Sequence, residues 1–251
     1  MLSAGERQPH AVVDPSRTKV SALSHTTPTT SAPMRSEQVN VPPQNLQHIW
    51  VVTGPAGSGK STVGRYLQQQ LGVPFLEGDD YHPAANKDKM SAGIPLTDAD
   101  RWDWLIALRS AATTLLSPAA APVPSSSTTN STTTAPSTRT HPAPPGVVVA
   151  CSALKKKYRD VMRVAAYGSP NVRIHFVYLK LDPETLYNRV SARQAHYMKP
   201  EMVASQLKDL EEPVGEWDAL TVDVKGSMAD VQGEVIRAVD GVLAGYAAAG
   251  R

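Results

Sequence analysis

The chain is expected to fold as a single α/β domain around a parallel sheet, and three observations lead there. The loop Gly54-Pro55-Ala56-Gly57-Ser58-Gly59-Lys60-Ser61 follows the apolar run Ile49-Trp50-Val51-Val52. It matches the phosphate-binding pattern G-x-x-x-x-G-K-[ST] at the point where a strand should end and a helix begin. Strand-like and helix-like segments then alternate along the chain. Finally, runs such as Val147-Val148-Val149-Ala150 are apolar without a polar face, as in strands covered on both sides, which is the habit of parallel sheets.

Taken in order, the run before the loop gives a strand at 48–53, and the loop leads into a helix at 60–71. A second strand at 73–77 ends on the acids Glu77, Asp79 and Asp80. Helices are expected at 84–92 and 99–116, the latter opened by Asp98 and Asp100, since acids favour a helix start. The third strand is the valine run at 147–151, followed by a helix at 155–166. A strand at 173–180 precedes helices at 183–194 and 200–210, and a fifth strand at 219–224 leads into a closing helix at 229–247. The acids after the second strand are expected to face the phosphate loop from a neighbouring strand. In open parallel sheets ligands sit beyond the carboxyl ends of the strands, and each motif falls at such an end.

Two segments fall outside this pattern. Residues 1–47 are rich in Ser, Thr, Pro and mixed charge and lack periodicity, so a disordered tail is expected. The tail has no apolar core of a secretory signal, and Glu6, Asp14 and Glu37 with Pro9, Pro15, Pro28 and Pro33 oppose a mitochondrial presequence. Residues 117–146 are nearly all Ser, Thr, Ala and Pro and read as a surface insertion in a single domain spanning 48–251. The 251 residues carry a net charge of +2 and one cysteine. That balance argues for no nucleic-acid partner. A lone cysteine gives no intramolecular disulfide framework, which suits a reducing, cytoplasmic setting. No apolar run approaches the ~20 residues needed to span a bilayer.

The phosphate loop implies a nucleoside triphosphate, with Lys60 along its β- and γ-phosphates and the Ser61 hydroxyl on Mg²⁺. The glycines turn backbone N–H groups inward at a helix N-terminus, so residues 54–62, from Gly54 to Thr62, are the candidate ATP cradle. A GTPase would need N-K-x-D after a later strand. Asn86-Lys87-Asp88-Lys89 has Lys in the fourth place and comes too early. Asp223-Val224-Lys225-Gly226 resembles the D-x-x-G switch in the wrong order. An ordinary ATPase would end its third strand in Asp, whereas this one ends in Cys151-Ser152. Carboxylates after the second strand instead favour a kinase for a small alcohol, where such a group can hold Mg²⁺-bound water or accept the hydroxyl proton. Cys151, at a strand end, reads as a small core residue.

Three blocks then carry a resemblance. The first runs from Glu77-Gly78-Asp79-Asp80-Tyr81-His82-Pro83 through Asn86, Lys89-Met90, Gly93-Ile94-Pro95-Leu96, Asp98, Asp100-Arg101 and Trp104-Leu105. The second is Cys151-Ser152-Ala153-Leu154-Lys155-Lys156-Lys157-Tyr158-Arg159-Asp160. The third comprises Arg189, Ala192-Arg193, His196-Tyr197-Met198, Met202, Ser205-Gln206 and Leu210-Glu211-Glu212-Pro213. In this order they resemble the gluconokinase family over 48–247, apart from the insertion.

The resemblance implies a P-loop kinase three-layer fold similar to the shikimate and nucleoside-monophosphate kinases. Its parts are a five-stranded parallel sheet, a helical substrate-binding part and a mobile lid. It implies transfer of the γ-phosphoryl group of ATP, with Mg²⁺, to the 6-hydroxyl of D-gluconate, feeding 6-phosphogluconate to the pentose phosphate pathway; dimers occur in the family. Asp79 matches the acid that orients or deprotonates the hydroxyl, with Asp80 the alternative. Glu77 matches the Mg²⁺-side acid, usually Asp in the family. His82 is a candidate for a substrate hydroxyl, or else caps a turn. Lys89, Arg101, Lys155, Lys156 and Arg159 are the candidate cations for the carboxylate, with Arg101 favoured. Lys156 and Arg159, three apart, are expected to share a helix face. Arg193 is expected to close over the γ-phosphate, with Arg189 as its alternative, and His196 to sit in the lid. Related kinases for shikimate or another acceptor, and a silent nucleotide-binding module, are the rival readings.

Overall fold

The computed structural model of the chain describes residues 46–117, 144–192 and 200–249, all within the unit spanning 41–251. All but the last two residues of the expected tail, of which Gln47 proves to begin the first strand, and nearly all of the expected insertion lie outside the described residues, as do Arg193 and His196. Five strands, β1 (Gln47–Thr53), β2 (Phe75–Glu77), β3 (Gly146–Ala150), β4 (Val172–Lys180) and β5 (Ala219–Asp223), form one sheet in the order β2-β3-β1-β4-β5. Every pairing is parallel. The helices are α1 (Lys60–Leu71), α2 (Ala84–Ser91), α3 (Asp98–Leu116), α4 (Lys156–Tyr167), α5 (Pro183–Ser191), α6 (Pro200–Asp209) and α7 (Met228–Ala249). None of the described helices is long and apolar enough to cross a membrane.

The alternation of side chains along each strand sorts the apolar residues into two cores. Trp50, Val52, Val148, Val177 and Leu179 meet Val63 and Leu67 of α1, Leu186 of α5 and Val235 of α7. Ile49, Val51, Val147, Val149 and Phe176 meet Leu105 and Leu108 of α3 and Met162 of α4 on the other side. The result is helix, sheet, helix. Gly64 brings α1 onto the sheet: a Cβ there would stand 2.4 Å from the Phe75 ring.

One expectation is corrected by the strand order. β2 is not the neighbour of β1, because β3 lies between them. The β1–α1–β2 crossover steps over one strand position, and the later valine strand fills the gap, where both its faces are covered. The carboxyl ends of β1 and β2 nevertheless open on the same side of the sheet.

Away from those ends, His48 of β1 and His175 of β4 hydrogen-bond to each other at 3.0 Å. Trp50 stacks on both rings and Tyr246 of α7 meets both edge-on. The pair is buried, at 1% and 3% exposure. Burial first, and then the nearby Arg173, push the His48 pKa down to about 4, and burial with the charge of its partner pushes His175 to about 3. Both folded values lie below the ordinary 6.5, so the unfolded chain binds more protons in between. Their stabilising effect is complete above pH 6.5 and falls away as the pH drops toward 4. His48 alone should contribute roughly 3 kcal/mol to this loss. Urea titrations between pH 7 and pH 4 should show the decline, and His48→Gln should flatten it; a variant as acid-sensitive as the parent would contradict the assignment.

Candidate active site

The phosphate loop has the shape its glycines permit. Gly54, Gly57 and Gly59 hold φ of 147°, 85° and 98°, conformations that side chains with a Cβ resist. Gly59 caps α1, and its carbonyl accepts the Val63 N–H at 3.0 Å. The first bond of the helical ladder is thus made by Val63, and the N–H groups of the turn before it are those a helix N-terminus offers to an incoming anion. The loop is anchored from β3: the Thr53 hydroxyl and the Gly54 N–H both donate to the Ser152 carbonyl, the latter at 3.3 Å. Pro55 O accepts from Lys60 Nζ at 3.1 Å. Ser58 Oγ is buried with no partner among the described residues.

A pocket opens beside this loop at the carboxyl ends of the strands. Lys60 and Ala56 from the loop, Asp79 and His82 from the segment after β2, and Arg101 of α3 line it together. Met90, Leu96, Trp104 and Leu154 form its apolar wall, and Ser152, Ser205 and Gln206 add polar groups. Asp79 sits on a 3₁₀ turn over Gly78–Tyr81 and is exposed, as is Asp80. The two acids differ in position, because Asp80 does not line the pocket and its carbonyl accepts from Lys87. Gly78 permits the turn to lie close on β3: a Cβ there would stand 2.3 Å from the Ala150 carbonyl oxygen.

His82 stacks on Trp104 with centroids 4.0 Å apart, and Trp104 Nε1 donates to the Gly78 carbonyl at 2.7 Å. His82 is only 7% exposed. Its Nδ1 has no partner among the described residues. Burial pushes its pKa down to about 4 against the pull of Asp79, so the ring is neutral near pH 7. A buried ring nitrogen without a partner, on a residue that lines the pocket, suits a ligand hydroxyl.

Arg101 is held by α4 and α6. Its Nη1 donates to the Tyr158 hydroxyl at 2.9 Å and to Asp209 at 3.4 Å. The acids that precede it at the helix start serve others. Asp100 completes a capping box with Thr97 and pairs with Lys89 at 2.6 Å. Asp98 accepts from Lys157, Tyr158 and Lys155, which together hold its carboxyl well below the usual range.

The AAA domain family model matches residues 49–214. The probable gluconokinase of Schizosaccharomyces pombe is 37% identical, covering 79% of this chain and 91% of that protein. The thermoresistant gluconokinase of Escherichia coli is 36% identical over 76% of this chain and 93% of its own length. Among solved structures, a gluconokinase from Sinorhizobium meliloti superposes with a TM-score of 0.62 at 34% identity, covering 80% of this chain and 97% of that one. The chain belongs to the gluconokinase family. It is a P-loop kinase with the expected α/β fold.

Within this gluconokinase-family frame, two expected substrate cations are corrected. Arg159 is buried at 1% exposure. Its guanidinium is consumed by Glu216, at 2.5 Å, and by the carbonyls of Ala153 and Leu154, at 3.1 and 3.0 Å. Lys156 does not share its face; it is exposed and pairs with Asp160 at 2.8 Å. The spacing of three was a poor guide, because the buried stripe of α4 runs through Tyr158, Arg159, Met162 and Arg163. Lys89, tied to Asp100, is not among the lining residues either. Arg189 is half-buried and donates to the Val224 carbonyl at 2.6 Å, next to the end of β5.

The residues present fit a magnesium ion carried with the nucleotide. The Ser61 hydroxyl hydrogen-bonds the Glu77 carboxyl, whose pKa is raised by burial and by Asp79 against the pull of Ser61 and Lys60. No group of three or more acids, histidines or cysteines that could hold a metal occurs among the described residues. Mg²⁺ is usually held by one or two protein groups together with phosphates and water, which these two can supply.

Sequence reasoning missed several members of the pocket. Ser152 and Leu154 stand on the loop after β3, where Ala153 holds a φ of 37°, and Gln206 reaches it from α6. Nothing in their residue types signals chemistry. Their position after a strand end or next to the expected lid was the available clue. Cys151 is buried, and burial pushes its thiol up to about 12, in keeping with a core role.

Proposed function

We propose that the protein transfers the γ-phosphoryl group of ATP to the 6-hydroxyl of D-gluconate. The observation that carries this reading is that Lys60, Asp79, His82 and Arg101, drawn from three separate segments, line one pocket beside the phosphate loop. Phosphoryl transfer asks for alignment and charge neutralisation more than for covalent help from the protein. The N–H groups at 59–62 and Lys60 hold the phosphates. Asp79 accepts a hydrogen bond from the attacking hydroxyl and takes its proton as the phosphoryl group arrives. Arg101 offers the fixed positive charge that a sugar carboxylate needs, and its Tyr158 and Asp209 partners fix its direction. The orphaned ring nitrogen of His82 reads a hydroxyl along the chain of the acid. Mg²⁺, bound through Ser61 and Glu77, would supply neutralisation of charge on the phosphate oxygens. Arg193 and His196, beyond α5, remain candidates for closing over the nucleotide.

The purified protein, supplied with ATP and Mg²⁺ and a panel of gluconate, shikimate, other sugar acids and nucleotides, should phosphorylate gluconate preferentially. Turnover of shikimate and not gluconate would overturn the substrate. We further propose that 1–45 and 118–143 are dispensable to catalysis. The second segment joins the end of α3 to the start of β3, at the amino-terminal ends of the strands and away from the pocket. Replacing it with a short linker should leave kcat within about twofold, because loop length costs stability only logarithmically. A large loss would assign it a role in the site.

A further inference from the structure

We propose that Gln206 is a further catalytic residue, its side-chain amide donating through Nε2 to an oxygen of the transferring phosphoryl group while Oε1 holds the phosphate loop. The inference rests on the reading of the pocket as a phosphoryl-transfer site and adds a residue to it. Oε1 accepts the backbone N–H of Ala56 at 2.7 Å. Ala56 lies inside the phosphate loop, and both residues line the pocket with Lys60 and Asp79. An N–H donor can be met only by the carbonyl end of an amide, so this bond fixes which way the group is turned. Nε2 is then the end left for other contacts, and it has no acceptor among the described residues.

The position of Gln206 is fixed from the far end of α6. Asp209, one turn on, pairs with Lys155 at 3.0 Å and with Arg101 at 3.4 Å. The helix is thus pinned between the nucleotide loop and the cation proposed for the substrate carboxylate. The transition state of phosphoryl transfer spreads charge over three equatorial oxygens. The charged side chains that line the pocket are the cations Lys60 and Arg101 and the anion Asp79. A neutral donor beside them adds stabilisation without pairing to the carboxylate, as a salt-bridging cation would.

The test compares Gln206→Met and Gln206→Glu by calorimetry with Mg²⁺ and two nucleotides, ADP and the non-hydrolysable imido analogue of ATP. A hydrogen bond to a charged oxygen is worth about tenfold or more in affinity. Gln206→Met should weaken the analogue by about that factor and ADP by less than about threefold. Gln206→Glu keeps the acceptor for Ala56 but has no donor, so it should bind the analogue more weakly still, and kcat should fall in the same order. A residue that only tethers the loop gives the reverse: Glu better than Met, or both nucleotides weakened alike. Either of those results, or no effect in both variants, overturns the proposal. If Gln206→Met fails to fold, Gln206→Glu decides alone, through its ratio of analogue to ADP affinity. No acceptor is present in this measurement, so its outcome is independent of whether gluconate is the substrate.

Discussion

Asp79→Asn should lower kcat with gluconate by about 10²–10⁴-fold, the range a positioned general base contributes, while leaving the fold intact. Asp79 is exposed on its turn, and an amide of the same shape at such a place changes stability by about 0.5 kcal/mol or less. Asn keeps the ability to accept a hydrogen bond from the hydroxyl but cannot take its proton, so the loss should fall on kcat and spare the KM for ATP. Asp80→Asn is the matched control, one residue along the same turn but outside the pocket lining, and should stay within a few-fold of the parent. Steady-state kinetics with thermal unfolding of both variants decides between the two acids. A fully active Asp79→Asn, or a greater loss at Asp80, would require a different base.

Arg159→Ala should behave in the opposite way, as a stability defect. Its guanidinium, 1% exposed, meets Glu216 at 2.5 Å and ties down the carbonyls of Ala153 and Leu154. Glu216 is also paired with Arg163, which in turn holds Asp218 at 2.7 Å. Removing Arg159 leaves Glu216 to Arg163 alone and strips two buried carbonyls of their donor, at a cost of about 3 kcal/mol. In a domain of this size that corresponds to a fall in Tm of roughly 10 °C. The Ala153 backbone, at a φ of 37°, would lose part of what holds it, and Ser152 and Leu154 in the pocket would lose definition with it. Unfolding curves and gluconate KM measured together separate this from substrate binding. A raised KM at unchanged Tm would restore Arg159 to the substrate site.

These two residues also mark the limit of what could be read from the chain alone. The place of Asp79 beside the phosphate loop was legible because its signal is local: an acid run directly after an apolar strand, inside the first of the three blocks. Arg159 was misplaced because its partners, Glu216 and the carbonyls of the loop after β3, include a residue 57 positions away. Its helix spacing from Lys156 says which residues are neighbours on α4, and not which side of α4 meets the sheet. Asp98 and Asp100 read as the acids that open α3, and they also gather lysines; the partners of Arg101, Tyr158 and Asp209, lie 57 and 108 residues later. Gln206 stood inside a quoted block without a role, since an amide on a helix acquires meaning only when a loop N–H meets it.

The sequence by itself determined the phosphate loop, the alternation of strands and helices with ends within a residue or two for most elements, and the family. Each is written in local periodicity, glycine placement and contiguous motifs, which short-range sterics and apolar burial enforce directly. Only the tertiary structure decided that β3 lies between β1 and β2, that Arg159 supports a loop, and that Gln206 reaches the phosphate loop. Those depend on which distant charges and N–H groups are brought within about 3 Å of one another, and that proximity exists only once both faces of the sheet are covered.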